Sequence, residues 1–250
     1  MLAILLGFVV ALAIGITGVG GGVITVPVLM LFLHIAPAET VGTALAFAAI
    51  VKIFVAPAYM MRRQVSYRVL GFMLIGGLPG LFGGLWLLHA MNASKHRVGL
   101  TVTLGLVVIL TALMNLYRVT LRPPTEPRDR SGWLPWLMLP VGAEVGFSSV
   151  GAGAIGSLAL LSLTPLTALE VAGTNVLFGL VLSILGGGVQ VHAGLYDAAV
   201  LTRLSVGGIA GAFLGPLLAQ RMPAKPLRVG LCLWLASLGT MLCWQAVSGV

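Results

Sequence analysis

Shifted by 131 positions, this sequence aligns with itself without a gap. Gly15, Val19, Gly20, Gly22 and Ile24 fall on Gly146, Val150, Gly151, Gly153 and Ile155. Glu39, Gly42, Thr43 and Phe47 fall on Glu170, Gly173, Thr174 and Phe178. Gly76, Gly77, Gly80, Phe82 and Gly84 fall on Gly207, Gly208, Gly211, Phe213 and Gly215, and Arg97 to Leu100 fall on Arg228 to Leu231. Leu and Ala coincide by chance in any apolar chain, but Glu, Arg and clustered Gly at one constant offset do not. The chain is therefore read as two copies of one unit, 1–117 and 133–250, joined by a linker at 118–132.

Each copy holds three apolar runs of crossing length. They cover roughly 38–60, 69–91 and 98–117, then roughly 168–192, 198–220 and 227–247. About 20 residues suffice for ~30 Å of hydrocarbon at ~1.5 Å per residue. Only 8% of the residues are charged and 59% are hydrophobic, whereas soluble domains carry about 25% charge. So few charges cannot cover a water-exposed surface, so lipid is the solvent. The net charge of +8 does not point to nucleic acid, because the basic residues sit in short gaps between apolar runs. The opening residues have no basic n-region of a signal peptide and are read as mature structure. Cys232 and Cys243 lie in one run and are read as packing residues.

The opening of each copy differs from the other runs. Gly15 to Gly22 interrupts residues 2–33, and Gly146 to Gly153 interrupts 133–163. Glycine opposes helix propagation by ~1 kcal/mol each relative to alanine. Each opening is then either one crossing helix with an unwound middle or a hairpin that re-enters the same side. Cytoplasmic loops carry the excess of Lys and Arg. Leaving out Lys52, which lies inside a span, the crossing arrangement divides the Lys and Arg residues 8 to 5 and the hairpin arrangement divides them 10 to 3. The count favours hairpins, with 118–132 cytoplasmic and both termini on the opposite side. The expected fold is an all-α integral membrane protein of two inverted repeats. Each repeat is a Gly-broken hairpin or discontinuous helix followed by three transmembrane helices.

Unwound backbone at membrane depth is tolerated only where protein or a water-filled cavity covers it. The first amides of the helix after each break have no intrahelical partner and lie at the positive end of the helix dipole. Such a terminus suits an anion. The candidate substrate residues are therefore Gly18, Gly20, Gly21 and Gly22, with Thr17, in the first copy. In the second they are Gly151 and Gly153, with Ser148 and Ser149. Thr43, Thr174 and Asn175 are read as further donors, against the alternative of hydroxyls bonded back to their own helix. Lys52 and Glu144 are intramembrane charges, candidates for charge compensation or coupling, and pairing with each other is one alternative. Lys52 aligns with Ser183 and Glu144 with Ala13, which sets both outside the symmetric design. Glu39 and Glu170 read as first-turn carboxylates. His34, His89, His96 and His192 form no metal or catalytic cluster, no cofactor is implied, and the chain is not expected to be an enzyme.

Gly18-x-Gly20-Gly21-Gly22-x-Ile24-x-x-Pro27, followed by Gly42-Thr43, resembles the signature of the TauE/SafE-like sulfite exporter family. Gly151-x-Gly153, followed by Gly173-Thr174-Asn175, is similar to that family's second copy, although Ala152 replaces a glycine and Leu158 stands where Pro27 does. The resemblance implies a secondary transporter of sulfite, sulfonates or related organosulfur anions, often an exporter; a coupling ion, H+ or Na+, is a candidate partner that the sequence does not specify. The competing readings are an anion channel of the same fold and a non-transporting membrane anchor subunit. The expected partners are a small anion and the lipid bilayer, and the oligomeric state is open.

Overall fold

The computed structural model describes residues 1–17, 21–93, 97–121, 130–150, 153–219, 230, 236–242 and 244. Among them the regular structure is helical: α1 (Leu2–Thr17), α2 (Gly21–Leu33), α3 (Pro37–Met61), α4 (Tyr67–Ala93), α5 (Arg97–Leu121), a 3-10 turn at Ser131–Trp133, α6 (Leu134–Ser148), α7 (Ala154–Leu163), α8 (Ala168–His192) and α9 (Ala198–Ala219). Helix α5 runs on through Leu121. Most of the run at 227–247, including both cysteines, lies outside the described residues.

In the first opening the described helices are α1, to Thr17, and α2, from Gly21; in the second, α6 closes at Ser149 and α7 starts at Ala154. The four pieces have 16, 13, 15 and 10 residues, each too short to cross ~30 Å alone. Among the described residues, Pro37–Met61, Tyr67–Asn92 and Leu169–His192 are long and apolar enough to cross a membrane. Trp86, Trp133, Trp136 and Trp244 are exposed, as suits side chains that meet lipid. Helix starts follow the sequence. Thr167 and Glu170 form a reciprocal capping box at α8, and Glu39 lies in the first turn of α3 behind Pro37.

Helices from the two halves of the chain pack on one another. The carbonyls of Pro135, Leu139 and Ala143 in α6 lie on Gly76, Gly80 and Gly84 of α4, where any Cβ would collide with them. The matching contacts recur 131 residues on, with the carbonyls of Ile4 and Phe8 in α1 on Gly207 and Gly211 of α9. In lipid, where apolar attraction between helices is weak, such close backbone approach supplies van der Waals and Cα–H···O contacts. Phe47 of α3 is fully buried against Gly208, and its counterpart Phe178 of α8 against Gly77.

These contacts also fix the helix directions. Residue numbers rise together along α4 and α6, and along α1 and α9. Along α3 and α8 they oppose: Gly42 lies on Gln190 and Leu195, Leu45 and Ala46 lie on Gly186 and Gly187, and Gly173 lies on Tyr59 and Gln64. Thr43 meets Asp197 while Phe47 meets Gly208, so α3 and α9 run together. By the matching contacts, α8 and α4 run together. Hence α1, α3 and α9 run one way and α4, α6 and α8 the other.

The ends of α3 and α8 are fastened in one repeated way. Arg63 donates to Met60 O and Gln64 to Tyr59 O; Gly194 donates to Val191 O and Leu195 to Gln190 O. Each pair is a Schellman closure, with Arg63 at φ 54° and Gly194 at φ 70° in the left-handed region. Two residues on, the amides of Ser66 and Asp197 donate to Thr174 Oγ1 and Thr43 Oγ1, both at 3.0 Å.

Candidate functional site

The two breaks meet. A Cβ on Gly22, in the first turn of α2, would fall on the backbone carbonyl of Ser149, at the end of α6, with Ser149 Oγ 2.6 Å away. Only a glycine permits this approach. Ser149 has φ 65° and closes α6, donating its amide to Val145 O at 2.8 Å. Its hydroxyl is buried with no hydrogen-bond partner among the described residues. A buried hydroxyl without a partner is uncommon and calls for an explanation. Here it sits beside the first turn of a helix that begins at Gly21. Ser148 is satisfied: its Oγ donates to Glu144 O at 2.8 Å and accepts from the Val150 amide at 3.3 Å.

The second break is braced by Asn175. Its Nδ2 donates to Gly153 O at 3.1 Å and to Ser157 Oγ at 3.0 Å. Ser157 donates to Gly153 O at 2.6 Å. Since Gly153 O can only accept and the Ser157 proton is engaged, the amide orientation is fixed. Asn175 Oδ1 is then a buried acceptor without a partner among the described residues, against Gly156, where a Cβ would lie 2.5 Å from it. No side chain caps α7 among the described residues, and its first amides lie at the positive end of the helix.

Among the residues predicted from the sequence, Gly22 and Ser149 are brought together, with Gly21 and Ser148 adjoining them in the chain. Gly153 and Asn175 form a second group. Thr43 and Thr174 are placed at the loop fastenings, each accepting a backbone amide. Gly18, Gly20, Gly151 and the Thr17 side chain lie outside the described residues. Lys52 donates to Ser183 Oγ at 3.2 Å. Glu144 accepts from Thr111 Oγ1 at 2.7 Å, so the Glu144–Lys52 pairing weighed from the sequence is not formed.

Sequence reading missed Thr111, Ser157, Ser183, Gly156 and the His89–Gln190 contact. His89 Nε2 lies 2.6 Å from Gln190 Oε1, and Gln190 Nε2 is buried without a partner among the described residues. For Ser157 a signal was present, since it lies one helical turn beyond Gly153 and a buried amide such as Asn175 needs partners. A small cleft elsewhere, at the start of α3, is lined by Pro37, Glu39, Asn92 and Leu195. No group of three metal-ligating residues occurs among the described residues.

The model of the family described as Sulfite exporter TauE/SafE matches residues 3–242. Two relatives from Bacillus subtilis (strain 168) are similar over nearly their whole lengths. The "Probable membrane transporter protein YjnA" is 26% identical over 241 residues, covering 90% of this chain and 92% of the relative. The "Probable membrane transporter protein YdhB" is 25% identical over 246 residues, covering 97% and 99%. No solved structure gives a significant match.

Proposed function

Because the chain belongs to the Sulfite exporter TauE/SafE family, we propose that this membrane transporter is a secondary carrier of small anions, exporting sulfite, sulfonates or related organosulfur anions. The observation that carries this reading is the meeting of the two breaks at Gly22 and Ser149, with an unpartnered hydroxyl beside the first turn of α2. Bare amides and a hydroxyl donor favour an oxyanion. The first-turn amides of α7, steadied through Asn175, are the second donor set. The substrate is held between the two repeats, as in other transporters of repeated design.

The repeats are inverted in the membrane. Support comes from the opposed directions of α1 and α6, of α3 and α8, and of α4 and α9. Each opening segment is a re-entrant hairpin. Support comes from α1 and α3 running together, which leaves α2 to return between them, and the same holds for α6, α7 and α8. With the 10 to 3 division of basic residues, the linker 118–132 faces the cytoplasm and the termini face away.

The test is flux into proteoliposomes of sulfite, a sulfonate, sulfate and a carboxylate. Sulfite or the sulfonate should cross and should raise the unfolding temperature of the purified protein. Absence of flux for all four would overturn the carrier reading. Labelling of the linker from outside intact cells would overturn the orientation.

A further inference from the structure

Lys52 and Ser183 hold equivalent places in the two repeats, 131 residues apart, and they bond to each other at 3.2 Å. Two equivalent positions can touch only near the pseudo-two-fold axis that exchanges the halves. That axis passes between α3 and α8, which run antiparallel there. The alignment of a lysine with a serine looks like departure from symmetry, but in space it marks the centre of symmetry. A second lysine at position 183 would set two ammonium groups face to face, and like charges at that range repel. An axial charge can therefore occur only once.

Lys52 extends the stripe Val41, Leu45 and Ala48, all three buried, at the spacing of one helix face. Among the described residues no carboxylate pairs with it; Glu144 is bonded to Thr111. Ser183 engages one of its three protons. A lone ammonium inside a membrane-spanning helix is costly, and such groups mark substrate or ion pathways.

Resting on the transporter reading above, we infer that Lys52 is the fixed countercharge for the substrate anion, shared by both states of the transport cycle. In a carrier of inverted repeats the halves exchange shapes as the open side changes. A group on the axis keeps the same relation to both halves before and after the exchange. One cation then serves the outward-open and inward-open states alike.

The equivalence of the two positions supplies the test. Uptake of radiolabelled sulfite into proteoliposomes is compared for the wild type, Lys52→Ser, and the swap carrying Lys52→Ser with Ser183→Lys. Folding is checked by monodispersity and by thermal unfolding in detergent. Lys52→Ser should lower uptake about tenfold or more, the scale of losing one partner of a desolvated charge pair. The swap should restore it to within about threefold of the wild type, since the ammonium returns to the axis from the other side. Wild-type uptake in Lys52→Ser overturns the inference. A swap that misfolds, or folds without uptake, also overturns it, because a lysine needed only for packing on α3 gives that result. If Lys52→Ser does not survive purification, the swap decides alone. Silence of the wild type itself overturns the transporter reading instead.

Discussion

Ser149 carries two demands at once. Its φ of 65° is a conformation that costs a non-glycine residue ~1–2 kcal/mol, and its hydroxyl is buried without a partner. Glycine would relieve both, and the equivalent position in the first repeat is Gly18. On the proposed reading, a serine is kept against strain and desolvation because its hydroxyl donates a hydrogen bond to the substrate anion. Ser149→Gly should leave the unfolding temperature unchanged or higher while sulfite affinity falls by about tenfold, the scale of one hydrogen bond to a charged group. Arg63→Gly is the control. It relieves the same backbone conformation at a position whose counterpart is already Gly194. It should raise stability by up to about 1 kcal/mol with sulfite affinity unchanged. Thermal unfolding and equilibrium sulfite binding separate the two outcomes.

At the scale of elements, the glycine stripes act by where they let backbones lie. Gly80 carries the Leu139 carbonyl, whereas a Cβ on Gly83, three residues along the same helix, meets nothing within 4 Å. Gly80→Val should therefore push α6 off α4 and destabilise by about 1–3 kcal/mol, while Gly83→Val should be tolerated. Gly211→Val should match Gly80→Val in the other repeat. Equal stability of Gly80→Val and Gly83→Val in detergent unfolding would contradict the packing described. The sequence announced these stripes, the breaks and the repeat, because glycine clusters and a constant offset are local patterns. It did not announce that α6 packs on α4 and α1 on α9, since partner choice depends on surfaces far apart in the chain. Thr43 and Thr174 show the same limit. Their repetition was legible, but the amides they accept come from loops 154 and 108 residues away. Lys52 was legible as a charge in a span, but its bond to Ser183 was not, because alignment compares types and not positions in space.

At the scale of the whole molecule, the two copies do not sit side by side as separate units. Each opening helix packs on the other copy's fourth element, the ends of α3 and α8 fasten each other's starts, and both breaks close on one place. The account stands on substrate reaching that place from water. The direct measurement uses Ser149→Cys in a background of Cys232→Ser and Cys243→Ser, reacted with a small anionic thiol reagent in liposomes. A saturating alkyl sulfonate, which unlike sulfite does not consume the reagent, should slow the modification several-fold, because ligand and reagent compete for the junction of the two breaks. Modification at the same rate with and without the sulfonate, or no reaction under either condition, would contradict a substrate site there.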